Sequence, residues 1–417
     1  MSHLSPLLKQ SSKVCAERGE GCWLIANDGK SYLDFTAGIG VTSTGHCHPT
    51  VVAAAREQVG KLIHAQYTTV THQPMLDLAE RLVAKMPDGI DSVAFSNAGS
   101  EAVEMALRLA RHATRRANVI VFNGGFHGRT MGAASMTTSG TKVRNAYHPM
   151  MAGVVVAPFP HSWRYGWSEE ETTRFCLAEL DHILKTQTAP EDTAAMVIEP
   201  VQGEFGYYPA NSAFMQGLAE RCKQHGILLV CDEIQAGYGR SGKFWSHQHF
   251  GITPDIVITA KGLASGFPLS AMAASQTLMA KGLAGSQGGT YGANAVSCAA
   301  ALATLRVMDE ENLVANAAAR GQQLWDHLQT LRQQYPLLAD LRGKGLMLGL
   351  EVAESPGKAL PDLAASLTSA SEEEGLLLLR CGTDGQIIRW LPPLVVSEAE
   401  VDDAVQRFTR VLSRVIT

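Results

Sequence analysis

Ile227-Leu228-Leu229-Val230-Cys231-Asp232-Glu233-Ile234-Gln235 decides the fold. Five apolar residues run together without the alternation of a half-solvated strand, so both faces of this segment must be buried. A carboxylate then ends the run, at a place where an unpaired charge is costly and a partner is required. Comparable runs stand at residues 92–95, 119–122, 153–157, 194–198 and 256–259, with helical patterns at 101–112 and 213–225 between them. Strands separated by helices predict a mainly parallel sheet covered on both sides. The expected fold is therefore α/β, with residues 56–309 as one large domain around that sheet.

The rest of the chain reads differently. Helical stretches at 294–308 and 313–334 lead into strand-like pieces at 346–352, 376–380 and 386–389. Ser397 and Glu400 then form a capping-box pattern ahead of Val401, Ala404, Val405, Phe408, Val411 and Leu412, spaced as one helix face. These segments predict a smaller α+β domain over residues 310–417. Residues 1–55 are too few for a core of their own and are expected to join it, so the small domain is built from both chain ends.

Composition narrows the function. Of 417 residues 46% are hydrophobic and 18% charged, against about 25% charged in an average globular chain, which points to large buried surfaces. With 35 basic and 40 acidic residues, a net charge of -5 and no basic stripe, nucleic acid and anionic membranes are excluded as expected partners. The longest uncharged stretch, residues 282–305, is interrupted by Gly285, Gly288, Gly289, Gly292 and Asn294 and does not read as a membrane span. The opening MSHLSPLLKQSSK lacks the apolar core of a signal peptide. Eight cysteines without a CxxC pair read as reduced thiols, and the expected location is the cytoplasm. The 39 glycines gather in short patches, as close backbone approaches require.

In open α/β sheets the ligand lies beyond the carboxyl ends of the strands. There the sequence places Asn97-Ala98-Gly99-Ser100-Glu101, then Asn123-Gly124-Gly125-Phe126-His127-Gly128-Arg129, Glu199-Pro200-Val201-Gln202-Gly203-Glu204, Asp232 and Lys261. A lysine at a partly dry strand end loses its proton readily and can form a Schiff base; the plainer reading is a lysine reaching back to solvent. Asp232 suits a protonated ring nitrogen, and equally a metal, a catalytic base or a salt bridge. Gly99-Ser100 at a helix start offers amides to an anion, or is an ordinary cap. Phe126 could stack on a ring or simply fill core. Neither His46-Cys47-His48 nor His247-x-His249 has the companions a metal needs, and no metal is expected. No GxSxG elbow and no GxGxxG loop occurs.

Asp232-Glu233-Ile234-Gln235, the segment ITAKGLASGFP at 258–268, Phe126-His127-Gly128-Arg129-Thr130 and Asn97-Ala98-Gly99-Ser100-Glu101-Ala102 together resemble the class III, or omega-amino-acid, aminotransferases. The likeness runs from Trp23 to Leu394, nearly the whole chain, and within the family it is strongest to the enzymes of 4-aminobutyrate. It implies the fold of pyridoxal-phosphate (PLP) fold type I and pyridoxal 5'-phosphate as cofactor. Lys261 would hold the cofactor as a Schiff base and shuttle the reacting proton. Asp232 would hold the pyridine nitrogen and Gln235 the ring hydroxyl, while Ile234 and Phe126 sandwich the ring. Gly99 and Ser100 would bind the phosphate, with Thr290 arriving from a second subunit, and His127 and Glu199 complete the cofactor set.

The resemblance also implies the substrate contacts. Arg129 would hold the distal carboxylate and Arg389 the alpha-carboxylate of glutamate, with Glu204 pairing Arg389 when the donor has none; Ile39 would line the donor pocket. The expected reaction carries the terminal amine of an omega-amino acid, 4-aminobutyrate foremost, to 2-oxoglutarate in a homodimer or dimer of dimers. Acetylornithine and ornithine aminotransferases share these motifs, as does a PLP isomerase (aminomutase or epimerase) for Lys261 and Asp232; a cofactor-free binding protein on this fold is the remaining alternative. Phe205 and Trp390 depart from the family pattern beside Glu204 and Arg389 and are expected to reshape the pocket.

Overall fold

The computed structural model describes residues 3–416. Its centre is a seven-stranded sheet in the order Ser92–Ser96, Ser270–Ala274, Ile256–Thr259, Leu228–Asp232, Thr193–Ile198, Asn118–Phe122, Val154–Ala157. Neighbours run parallel except Ser270–Ala274, which lies antiparallel to the strand on either side. The sheet is thus mainly parallel, as the unalternating apolar runs require. Six of its strands fall within a residue or so of the expected runs. The seventh, Ser-Ala-Met-Ala-Ala, carries no β-branched residue and gives no strand signal.

Helices cover both faces, and side-chain alternation sorts the core between them. Val119, Val121, Ala195 and Val197 pack with Ala102, Val103 and Ala106 of the helix Gly99–Thr114. Ile120, Phe122, Met196 and Ile198 pack on the opposite face with Cys176, Leu180, Phe214 and Leu218 of the helices Glu169–Thr186 and Ser212–His225.

Two smaller sheets flank this body. Residues Ala16–Glu20, Trp23–Ala26 and Ser31–Asp34 form an antiparallel meander, and Leu376–Leu377 adds parallel to its last strand, which joins the two chain ends. Leu338–Lys344, Met347–Val352, Ile387–Trp390 and Leu379–Cys381 form the other, all antiparallel. The closing helix Glu398–Val415 starts at the Ser397/Glu400 capping box and buries Val401, Ala404, Val405, Phe408, Val411 and Leu412 as the spacing predicted. Among the described residues no helix is long and apolar enough to cross a membrane.

Trp390 shows how period two sorts neighbours. Arg389 and Trp390 face opposite sides of their strand, and the indole is fully buried, edge-on to Phe35 at 5.7 Å and to Phe408 at 5.2 Å. The expectation that Trp390 reshapes the pocket is corrected: it is core. Trp390→Ala should lower unfolding stability by about 3–5 kcal/mol, the usual loss for emptying a large aromatic site, measured as a denaturant midpoint shift.

Candidate active site

The carboxyl ends of Thr193–Ile198, Leu228–Asp232 and Ile256–Thr259 meet along one edge of the central sheet, and a cavity of about 400 Å³ opens beyond them. It is lined by Gly99, Ser100, Phe126, His127, Arg129, Glu199, Asp232, Ile234, Gln235 and Lys261 among others. Strand register explains the convergence: Asp232 sits opposite Ile258, and Cys231 opposite Ile198, so each strand delivers its next residues to the same place.

One wall is the start of the helix Gly99–Thr114. The Glu101 carboxylate turns back to accept from Asn97 N at 2.7 Å and Ala98 N at 3.2 Å, so the first-turn amides stay available to an anion. A Cβ on Gly99 would come within 2.9 Å of Ile234 Cδ1, so a larger residue here would push the Ile234 side chain aside. Ser100 Oγ accepts from Arg129 N at 3.3 Å, which ties the helix start to the Phe126–Arg129 loop. The Arg129 guanidinium lies 5.6 Å from the Phe126 ring centre, with its side chain open to solvent.

The floor is a buried charge network. Asp232, 3% exposed, accepts from His127 Nδ1 at 2.8 Å through Oδ2 and from Ile234 N at 3.1 Å through Oδ1. Burial pulls the His127 pKa down, but the bond to Asp232 and its charge, helped by Glu199, prevail and hold it above the ordinary value. Glu199 accepts from Phe126 N at 2.7 Å and Gly203 N at 2.9 Å. Burial and the nearby Asp232 charge push its carboxyl up to about 7, while His127 and the two backbone amides pull the other way. Thr137 fixes the loop from below by accepting from His127 N at 3.0 Å.

Lys261 opens a single 3-10 turn just past Ile256–Thr259 with a left-handed φ of 46°. Burial lowers its pKa below that of an ordinary lysine, against the pull of Glu204 and Glu199. A larger share of neutral amine follows, which is the nucleophilic form. A Cβ on the adjoining Gly262 would meet Ser43 Oγ at 2.7 Å, so the backbone behind the lysine is packed tightly.

Beside the cavity stands a second charge pair. Arg389 Nη1 donates to Glu204 Oε1 at 2.7 Å and Nη2 to the Arg380 carbonyl at 3.0 Å, while Gln235 Nε2 reaches the same Glu204 oxygen at 3.4 Å. Burial works against ionisation of Glu204, but the charges of Arg389 and Lys261 outweigh it and hold the carboxyl below its ordinary range. Glu204 is the more accessible partner, its side chain 25% exposed against 6% for Arg389.

Of the residues given a cofactor or substrate role, four stand outside the cavity lining. Glu204 and Arg389 form the adjoining pair just described. Ile39, 41% exposed, does not reach the lining, where Val41 stands instead. Thr290 is exposed at the surface. Phe205 corrects a further expectation: it packs away from the cavity against His161 at 4.8 Å and Tyr208 at 5.8 Å. Asn97 and Phe267-Pro268, which stand inside the quoted motifs without an assigned role, also line the cavity, as do Val41 and Leu269, which carry no sequence signal beyond their apolar character.

The histidine pairs considered for metals have other partners. His46 bonds Asp34 at 2.8 Å, His48 bonds Glu311 at 2.9 Å, His247 bonds Glu233 at 2.9 Å and His249 the Ser241 carbonyl at 2.9 Å. Among the described residues no group of three or more His, Cys, Asp or Glu side chains is arranged to hold a metal.

The donor set fits pyridoxal 5'-phosphate. An anion cup, a buried carboxylate for a cationic ring nitrogen, two apolar walls and an amine for a carbonyl share one cavity. Gln235 Oε1, buried and without a hydrogen-bond partner, leaves an acceptor for a ring hydroxyl.

Comparison with known proteins agrees. The family profile "Aminotransferase class-III" matches residues 7–412. The chain is 38% identical over 396 residues to 5-aminovalerate aminotransferase of Pseudomonas aeruginosa, covering 94% of this chain and 92% of that one. It is likewise 38% identical over 407 residues to 4-aminobutyrate aminotransferase of Escherichia coli, covering 95% and 93%. Among solved structures, an (S)-enantioselective omega-transaminase from Thermomicrobium roseum superposes with a TM-score of 0.93 at 30% identity, over 100% of this chain and 97% of that one.

Proposed function

From a chain that belongs to the class-III aminotransferases, PLP-dependent transaminases of fold type I, we propose an enzyme that moves the terminal amine of an omega-amino acid to 2-oxoglutarate, with 4-aminobutyrate the first choice of donor. The products are the semialdehyde and glutamate. The observation that carries this reading is the Glu204–Arg389 pair at 2.7 Å beside the lysine. An omega-amine donor has no carboxylate next to its reacting carbon, and glutamate has one. A guanidinium masked by a mobile carboxylate serves both: paired with Glu204 it does not repel an amine, and released from it, it forks onto an alpha-carboxylate.

The other residues take consistent roles. Gly99 and Ser100, with Thr290 from a second copy of the chain, hold the phosphate. Asp232, steadied by His127, holds the ring nitrogen, and Glu199 keeps the loop of Phe126 in place. Ile234 and Phe126 flank the ring, and Gln235 accepts from its hydroxyl. Bound there, the cofactor supplies an electron sink next to the carbon that loses its proton. Lys261, held partly neutral by burial, carries that proton. Arg129 binds the distal carboxylate and Ile39 borders the donor's path. The homodimer is the working unit, and a reducing cytoplasm suits its eight unpaired thiols.

The test is a spectral half-reaction. The cofactor-loaded enzyme is mixed in turn with 4-aminobutyrate, 5-aminovalerate, beta-alanine, N-acetylornithine and ornithine, and loss of the visible band is timed. The reading expects 4-aminobutyrate or its one-methylene homologue fastest, and glutamate formed only when 2-oxoglutarate is added. N-acetylornithine as fastest donor moves the assignment, and product without any acceptor makes the enzyme an isomerase.

A further inference from the structure

Besides Gln235 Oε1, which faces the cofactor cavity, two polar atoms close to the Glu204–Arg389 pair are left over. Arg389 spends Nη1 on Glu204 and Nη2 on the Arg380 carbonyl, while its Nε–H, buried, has no partner. The hydroxyl of Tyr207 is also buried without a partner, on a residue with no exposed surface. Strand pairing brings the two residues together. Gly349 is the cross-strand neighbour of Arg389, and a Cβ on Gly349 would touch Tyr207 Cβ at 3.3 Å, so the tyrosine lies over the rung that bears the arginine. Its ring is locked among Val201, Ala236, Met347 and Leu391. The residue holds a left-handed φ of 58°, which a tyrosine adopts only where surrounding packing imposes it.

Tyr207 Oη stands close enough to feel Arg389: burial raises the phenol's pKa, and the guanidinium opposes that rise by charge and contact. With Glu204 on Nη1, neither Tyr207 Oη nor Arg389 Nε has a hydrogen-bond partner. Glu204 and Tyr207 sit three residues apart on one turn, clamped where Gly382 N donates to the Glu204 carbonyl at 3.0 Å.

We propose that Tyr207 is the positioning residue that receives Arg389 when Glu204 lets go. In that state Nε–H donates to Tyr207 Oη, Nη2 keeps the Arg380 carbonyl, and the N–H groups of Nη1 are free for the incoming alpha-carboxylate. A buried arginine that lost its carboxylate with no replacement acceptor would be penalised and would follow the moving Glu204. The tyrosine removes that penalty in the glutamate half of the cycle alone. This rests on the two-substrate reading above.

The experiment compares Tyr207→Phe with wild type in single-turnover half-reactions of the cofactor-loaded enzyme, using glutamate and 4-aminobutyrate separately. Losing one hydrogen bond to a charged group should raise the half-saturating glutamate concentration about tenfold. The limiting rate should hold within about twofold, and the 4-aminobutyrate value should move several times less than the glutamate value. In an Arg389→Lys background, which has no Nε–H, the same substitution should have no glutamate-specific effect; this arm guards against a general packing defect, as does an unchanged melting temperature. Equal losses on both donors, no loss on glutamate, or an undiminished loss in Arg389→Lys would each overturn the proposal. A wild-type enzyme that uses 4-aminobutyrate but not glutamate would remove the two-substrate reading and this proposal with it, whereas glutamate use without the selective loss removes the proposal alone.

Discussion

Lys261→Ala should abolish amino transfer and the visible absorbance of lysine-bound cofactor together. The substitution removes an amine that lies within reach of Glu204, Glu199 and Asp232 charges, in a cavity with no second lysine in its lining. Loss of a positioned proton carrier alone costs about 10²–10⁴-fold, and loss of the covalent anchor adds to it, so turnover should fall to the limit of detection. The fold should survive. Alanine tolerates the φ of 46° no worse than lysine, and Gly262 keeps its packing against Ser43. Circular dichroism should therefore match wild type while the 2-oxoglutarate-dependent assay reads zero. Wild-type turnover in the variant would end the assignment of Lys261, whatever the spectrum showed.

Asp232→Asn should have the next largest effect. Asparagine keeps an oxygen for Ile234 N but brings no charge to His127 or to a cationic ring nitrogen. Removing one preorganised electrostatic contact of this kind costs on the order of 10²–10³-fold in turnover, and cofactor should be held more weakly. The stability effect has a sign that can be checked. His127 in the wild type has a raised pKa, so its bond to Asp232 stabilises the fold fully below the unfolded value of about 6.5 and is lost as pH rises through the folded value. The asparagine variant should therefore lose more stability at pH 5.5 than at pH 8.5, read as melting temperatures of the two apoproteins. Equal losses at both pH values would mean that the histidine is not charged in the wild-type fold.

Much of this molecule is legible from local patterns, and the remainder is long-range. Branched and bulky apolar runs mark six strands of the central sheet, and the residues that follow them line one cavity because parallel strands end on one side. The alanine-rich strand Ser270–Ala274 is invisible for the same reason, since small residues give no strand preference. Pairings across the chain are equally hidden: His127 meets Asp232 across 105 positions and Glu204 meets Arg389 across 185. Phe205 and Trp390 look like pocket residues only while adjacency in sequence stands in for adjacency in space; strand alternation and an aromatic cluster turn both away. Tyr207 is undetectable until the rung of Gly349 and Arg389 brings it beside the arginine's strand.

The antiparallel strand Ser270–Ala274 also sets the order in which the protein can be assembled. Ser92–Ser96, which leads directly into the anion cup, sits at the sheet margin and pairs with no other strand of the sheet. A hydroxyl pair, Ser96 with Ser270 at 2.6 Å, spans 174 positions at that seam. On a ribosome the strand Ser92–Ser96 emerges early, yet the strand it pairs with is made far later, so it must wait through the synthesis of the intervening strands. Closing so long a loop is slow. Affinity for phosphate should thus be among the last properties a nascent chain acquires, because the cup is tied down only when Ser270 arrives and its hydroxyl donates to the Ala98 carbonyl at 2.9 Å.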